Sequence, residues 1–230
     1  MTSGAKYQRY DRPVTTAQST VSPGRPPAAV SPGRPPATTA ADLEHVALDL
    51  FVRQGFEATT VDQIAAAAGI GRRTFFRYFR SKNDVAWGDF DVQLARFRSS
   101  FEVVPASTPV EVALHDCIAR FNDFPEDELP WLRERMALLL GVPALQAHST
   151  LRYAAWREVV ASFVAGRRGE EAADLVPQVT AHCALGTAVT AYECWLRDDG
   201  SHLGELMEAA LTAWLGPMDL LGSAGGPPSS

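Results

Sequence analysis

The segment Thr60 to Val85, TVDQIAAAAGIGRRTFFRYFRSKNDV, constrains the fold more than any other stretch of the chain. Thr60 is followed three residues later by Gln63, the spacing of a capping box. There the hydroxyl accepts an orphan backbone N–H and the amide reaches back to the cap. Val61, Ile64, Ala65 and Ala68 then share one face of a short helix, and Ala66 and Ala67 keep it slim enough for a close crossing. Gly69 supplies the positive φ that ends this helix. Ile70 plugs the turn into a core, and Gly71 lets the chain start again. Arg72 to Phe79 makes about two further turns. Its polar side carries Arg72, Arg73, Thr74, Arg77 and Tyr78, and Phe75, Phe76 and Phe79 are expected to anchor the other side. Ser81, with Asp84 at its third position, caps a new helix. Two helices across a short Gly-containing turn form a helix-turn-helix, whose second helix enters the major groove of DNA.

Charge supports the same reading. Arg72, Arg73, Arg77, Arg80 and Lys82 lie in a stretch without one acidic residue, although the whole chain has net charge −6. Clustered cations neutralise phosphates, and arginine or lysine also pairs with guanine O6 and N7. A solvated basic helix in an ordinary bundle has the same composition. The order of cap, glycine turn, aromatic anchors and second cap decides for a DNA reader.

Residues 43 to 90 resemble the N-terminal domain of the TetR family of transcriptional repressors, on LEHVALDLFVRQGFEATTVDQIAAAAGIGRRTFFRYFRSKNDV. The resemblance implies an all-α protein: a three-helix DNA-binding domain followed by a helical ligand-binding and dimerisation domain. It also implies that the Thr60 cap and Lys82 touch phosphates while Arg72, Arg73, Thr74 and Tyr78 face the groove. One position departs from the pattern. The family often has tyrosine where this chain has Phe76, and Phe76 lacks the hydroxyl that usually meets a phosphate. Tyr78 substitutes for it, or the contact is lost. A narrower resemblance rests on Ser81 to Asp91, above all Trp87-Gly88-Asp89-Phe90-Asp91. This stretch is similar to TetR-type regulators associated with the mycofactocin redox-cofactor system.

The 230 residues are 46% hydrophobic, enough for a proper core in one or two domains. No uninterrupted apolar run is long enough to cross a bilayer, so no membrane partner is expected. The N-terminus is polar and Pro-rich, unlike a secretory leader. Cys117, Cys183 and Cys194 are odd in number and widely spaced, which suits a reducing cytosol and a cytoplasmic location. Residues 91–230 hold ten basic and nineteen acidic side chains, so the C-terminal body should sit away from the duplex.

The chain divides into four parts by pattern. Residues 1–38 read as a disordered arm, with SPGRPPA at 22–28 and again at 31–37. Arg25 and Arg34 in it either brush DNA, as basic arms do in minor grooves, or belong to an inert linker. Residues 39–85 form the DNA-binding domain, 86–216 the body and 217–230 a Gly- and Pro-rich flexible tail. A first helix is expected from Ala40 to Gln54, capped by Thr39 and Asp42 and stopped by Gly55. A helix after Ser81 is expected to continue to about Ser100. Thr108 should cap a helix beginning at Pro109 and running to about Asn122. Helices over 127–140 and 149–166 are expected to be separated by Gly141, Pro143 and His148-Ser149. Residues 177–197 are apolar nearly all round and need cover on both sides. Residues 202–215 are amphipathic.

In the family the last two helices pair with their copies in a second subunit as a four-helix bundle. The candidate homodimer interface is therefore Leu185, Tyr192, Trp195, Leu206, Met207, Leu211 and Trp214. Two-fold symmetry then matches a palindromic operator on double-stranded DNA, with half-sites about 34 Å apart or a small multiple of it. A switch requires an effector site in the body. The candidates are His115, Arg120, Trp131, Met136, Tyr153, Trp156 and Phe163, since apolar walls with a few polar anchors suit a small molecule. Aromatics at helical spacing equally suit a plain core. An apolar effector with a polar or anionic head fits best, and an acyl-CoA thioester is one such molecule. It would favour a conformation whose heads no longer match the half-sites. No cofactor or metal is expected. His115 with Cys117, and His182 with Cys183, lack the i, i+4 spacing and the second ligand pair of a metal site. There is no glycine-rich phosphate loop or Gly-x-Ser-x-Gly elbow, so an enzyme is not expected. A redox- or ligand-sensing protein with incidental DNA contact is the competing class. Thiol sensing would need an accessible thiol of low pKa.

Overall fold

The structure, a computed structural model, describes residues 39–216. The arm expected over 1–38, including Arg25 and Arg34, and the tail expected over 217–230 lie outside the described residues. The described residues form an all-α fold of ten helices: α1 (Ala40–Gln54), α2 (Val61–Ala67), α3 (Arg72–Tyr78), α4 (Lys82–Trp87), α5 (Phe90–Glu102), α6 (Val110–Phe121), α7 (Leu129–Gly141), α8 (Pro143–Arg168), α9 (Leu175–Arg197) and α10 (Leu203–Leu215).

Local chemistry sets the first four helices. The Thr39–Asp42 and Thr60–Gln63 capping boxes are both closed. The Ser81 hydroxyl accepts the Asp84 N–H at 3.2 Å. Gly55 ends α1 with φ 87°, its N–H donating to the Phe51 carbonyl. Gly69, at φ 65°, ends the α2 turn, and the Ile70 N–H returns to the Ala65 carbonyl at 2.9 Å. Helices as short as α2, α3 and α4 are unstable alone and depend on packing. Leu43, Ala47, Phe51, Ile64, Phe75 and Val85, all fully buried or nearly so, supply it.

Three expectations need correction. The helix after Ser81 does not run through to Ser100. It stops at Gly88, at φ 56° and ψ −139°, and α5 begins at Phe90. A Cβ on Gly88 would lie 2.6 Å from Glu44 Oε2 and 2.8 Å from Arg135 Nη1, so the chain turns where only glycine fits. The expected gap before residue 149 shrinks to Val142, and α8 runs unbroken through His148 and Ser149. The Ser149 hydroxyl is satisfied inside the helix by donating to the Leu145 carbonyl at 2.8 Å. Pro109, not Thr108, is the N-cap of α6, and no side chain caps it.

In the body, α9 packs lengthwise between α8 and α10, and α6 rests on α5 and α10. Phe97 of α5 stacks on Trp156 of α8 at 5.1 Å between centroids, and Phe101 on Phe163 at 4.5 Å. The buried Tyr192 hydroxyl donates to Asn122 Oδ1 at 2.9 Å, and Asn122 Nδ2 donates to the Ile118 carbonyl. This satisfied chain of polar groups sits where an unpaired one would be costly.

The head, α1 to α4, is fastened to the body at two points. Helices α1 and α4 pack on α7, and α4 also meets α8. Arg135 of α7 pairs with Glu44 of α1 at 2.9 Å, both side chains largely buried. Asp84 of α4 faces Arg152 and His148 of α8, each at 3.4 Å, and Arg152 also pairs with Asp91.

Candidate nucleic-acid interface and effector cavity

Helix α3 displays its cations on one exposed edge while Phe75 and Phe79 hold it down. Arg73 and Arg80 are exposed and form no ion pair or hydrogen bond among the described residues. Arg72 is also exposed but is held by the Asp62 carboxylate at 2.9 and 3.1 Å and lies over the Phe76 ring. Arg77 lies over the Tyr78 ring and reaches its hydroxyl at 3.2 Å. Thr74 and Tyr78 are half-buried. Phe76, expected to anchor α3, is instead 44% exposed. It packs edge-on against Phe75 and presents an apolar ring on the basic face.

Thr60 is exposed and engaged by Gln63. Lys82 is turned inward. Its ammonium donates to the carbonyls of Phe56, Glu57 and Thr59 at 2.8, 3.3 and 3.1 Å and sits over the Phe56 ring. All three donors are therefore spent on the α1–α2 connection. A Lys82→Met variant is expected to lose about 1–3 kcal/mol of stability, read as a lower urea midpoint. An unchanged midpoint with weaker duplex binding would restore a purely phosphate-binding role.

The body contains two adjoining spaces. A cleft of about 990 Å³ lies between α1 and helices α5, α6 and α7. Arg96, Arg120, Arg135, His45 and Trp131 line it together with Phe97, Phe121 and several carboxylates. Trp131 stacks on His45 at 4.7 Å, so the cleft is walled on one side by the head. A smaller, mostly apolar inner cavity of about 90 Å³ lies towards α8 and α9, lined by Trp87, Phe90, Met136, Leu139, Tyr153 and Trp156 among others. Gln93, Phe121, Phe124, Leu132 and Arg135 belong to both linings and form the partition.

The expected effector residues are thus divided. Arg120 and Trp131 line the cleft, and Met136, Tyr153 and Trp156 line the inner cavity. His115 and Phe163 line neither. His115 bridges Asp116 and Glu208, fastening α6 to α10. Burial lowers its pKa, but the bonds to the two carboxylates outweigh this and raise it overall. Phe163 stacks on Phe101 and beneath Arg167. Trp87, Gln93, Leu132 and Arg135 line these spaces as well. No pattern of neighbouring residues marks them in the sequence.

The residues expected at a dimer interface differ in exposure. Tyr192, Trp195, Met207 and Leu211 are buried within the chain itself. Tyr192 and Leu185 line the inner cavity, and Trp195 lies under Arg133. Leu206 and Trp214 are half-buried against the core. The outward face of α9 instead carries Leu175, Val176, Val179, Cys183 and Gly186. An apolar helix does not announce which of its faces the chain will cover.

Burial pushes the Tyr153 and Tyr192 hydroxyls above their ordinary pKa, so both remain neutral donors. Burial likewise raises the Glu44 carboxyl; Arg135 opposes the rise and Asp89 adds to it. The buried Cys117 thiol is also raised by burial, the opposite of a reactive thiolate. Among the described residues no cluster of potential ligands is arranged to hold a metal ion, and no helix is long and apolar enough to cross a membrane.

Two family models match the chain. That of the bacterial regulatory proteins of the tetR family covers residues 45–86, and that of the MftR C-terminal domain covers residues 108–219. A protein of Mycobacterium tuberculosis, described as the mycofactocin biosynthesis transcriptional regulator MftR, is 44% identical over 173 residues, 75% of this chain and 87% of the relative. Among solved structures, FadR of Thermus thermophilus in complex with lauroyl-CoA aligns with a TM-score of 0.54 at 22% identity, covering 84% of this chain and 99% of that one. FadR of Bacillus subtilis in complex with stearoyl-CoA aligns with a TM-score of 0.54 at 16% identity, covering 77% and 98%. At these identities the structural matches speak for the fold. The head geometry, its family model and the long 44% match place the chain in the TetR family of DNA-binding regulatory proteins.

Proposed function

We propose that the chain is a homodimeric repressor of a palindromic operator, released by an amphiphilic effector with an acyl chain and an anionic head. The observation that carries the reading is the exposed cationic edge of α3 and the turn after it, with Arg73 and Arg80 unpaired among the described residues, on a chain of net charge −6. Such a patch draws phosphates to one place only. In this reading residues 39–85 form the reading head and 86–216 the body. Arg72, Arg73, Thr74, Arg77 and Tyr78 face the groove, and the Thr60 turn meets phosphate. The second subunit covers the outward face of α9 and α10.

The effector reading is supported by the inner cavity, apolar and aromatic, adjoining a cleft that carries Arg96 and Arg120. Fold relatives crystallised with lauroyl-CoA and stearoyl-CoA agree with that chemistry. The relative described as a mycofactocin biosynthesis regulator, and the C-terminal family model, point to genes of that redox-cofactor system as targets.

Selection of bound duplexes from random DNA, followed by a salt titration, tests the first part. A palindrome bound as a dimer, with affinity falling steeply as salt rises, is the expected result. Equal, weak binding to all duplexes would defeat it. Adding lauroyl-CoA or stearoyl-CoA to the complex tests the second. Release at micromolar concentration is expected, and no release by either would remove acyl-CoA as the effector class.

A further inference from the structure

The partition between the two spaces contains one charged side chain, Arg135, and that side chain also holds the head. Arg135 Nη2 donates to Glu44 Oε2 on α1 at 2.9 Å. Its Nε–H is buried and has no acceptor among the described residues, and the same is true of the indole N–H of Trp87. Trp87 is 6% exposed and lines the inner cavity with Arg135. Both orphans are donors. The missing partner is therefore an oxygen acceptor, because an unmatched buried N–H costs about 1–3 kcal/mol.

Volume gives an independent constraint. The inner cavity, about 90 Å³, holds only about three waters by their liquid volume. An acyl chain of more than a few carbons cannot fit there unless the cavity merges with the cleft of about 990 Å³. Merging displaces the partition, and Arg135 is part of the partition.

We propose that Arg135 is the point where the effector is sensed and relayed: a carbonyl or anionic oxygen of an acyl-type ligand takes the N–H donors of Arg135 and Trp87, and thereby releases Glu44 and helix α1. The inference rests on the effector reading above and adds its route to the head. The switch is a competition for one guanidinium: Glu44 holds it through Nη2 and leaves Nε–H unmatched, and a ligand oxygen that satisfies Nε–H and the Trp87 N–H draws the group off Glu44. When Glu44 holds it, α1 is fastened to α7 and the head keeps its place. When the ligand holds it, Glu44 is left without its cation in a setting that already disfavours its charge, and α1 comes free. A ligand shifts such an equilibrium only through its unequal affinity for the two states, and the Glu44 bond supplies that inequality.

The test uses the full chain and three proteins: wild type, Glu44→Gln and the double variant Glu44→Gln/Arg135→Met. The double variant leaves no buried charge unpaired and so protects against simple unfolding. Lauroyl-CoA and stearoyl-CoA affinities are measured without DNA, and hydrogen exchange of α1 is followed alongside. Glu44→Gln frees the guanidinium and is expected to tighten acyl-CoA binding about fivefold or more, with faster exchange in α1. The double variant is expected to bind at least about tenfold more weakly than Glu44→Gln. Wild-type binding with the same affinity in both variants overturns the proposal alone. No binding of either thioester by wild type overturns the effector reading and this proposal with it, whereas operator binding remains a separate question.

Discussion

Replacing Arg73 by alanine is expected to weaken binding to the selected duplex by about 10- to 100-fold, while binding to unrelated duplexes changes far less. The asymmetry follows from position. Arg73 stands on the exposed edge of α3 with no acceptor among the described residues, so its fork of donors is available to a base edge. Arg72 next to it is already bound to Asp62 and must give up that pair to bind DNA. Giving up that exposed pair offsets about 0–1 kcal/mol of what Arg72 gains from DNA, so Arg72→Ala should cost somewhat less than Arg73→Ala. Competition binding with single-base variants of the selected site distinguishes the outcomes. A uniform loss across all duplexes, with unchanged base preference, would reduce Arg73 to a phosphate contact. The expected loss does not need a stability change, because the exposed side chain makes no hydrogen bond or ion pair among the described residues.

Gly88→Ala should destabilise the chain by about 3 kcal/mol or more. Two costs add there. The backbone φ of 56° with ψ −139° is strained for any residue with a side chain. The new methyl would also lie 2.6 Å from Glu44 Oε2 and 2.8 Å from Arg135 Nη1 and force the ion pair apart. Gly69→Ala is the matched control, since its φ is 65° but nothing lies within 4 Å of its Cβ. It should show only the strain, about 1 kcal/mol. Thermal melts of the two variants separate the terms. At about 2–4 °C per kcal/mol for a chain of this size, the difference should be several degrees. Equal losses would mean that the Glu44–Arg135 pair yields easily to a methyl group. In that event the pair could not hold the head in place.

The sequence was informative wherever a short local pattern has one physical solution. The Thr39–Asp42, Thr60–Gln63 and Ser81–Asp84 caps, the αL glycine at 69 and the α1 boundaries all follow from neighbours within four residues. It was uninformative wherever the deciding partner lay far along the chain. Gly88 reads as a tolerable glycine in a helical pattern, and only Glu44 and Arg135, distant in sequence, make it a corner. Ser149 reads as a helix boundary until its hydroxyl is found on the Leu145 carbonyl. Tyr192, Trp195, Met207 and Leu211 read as an interface because apolar faces look alike before their cover is known. Of the residues expected around an effector, Trp131 lines the cleft and Met136, Tyr153 and Trp156 line the smaller cavity. The residues that join the two spaces, Arg135 above all, had no local pattern to reveal them.

The double fastening of the head has a practical consequence for exchanging parts between regulators. Glu44 and Asp84 belong to the head, but their cationic partners, Arg135 and Arg152, belong to α7 and α8. A graft of residues 39–87 onto another helical body would carry two acids into a seam without matching bases. One of them, Glu44, would be buried there with its charge uncompensated. The unit that transplants intact is therefore discontinuous: the head together with the two arginine positions of the recipient, recoded to match. A graft made at the sequence boundary alone would still read DNA but would lose its obedience to the body.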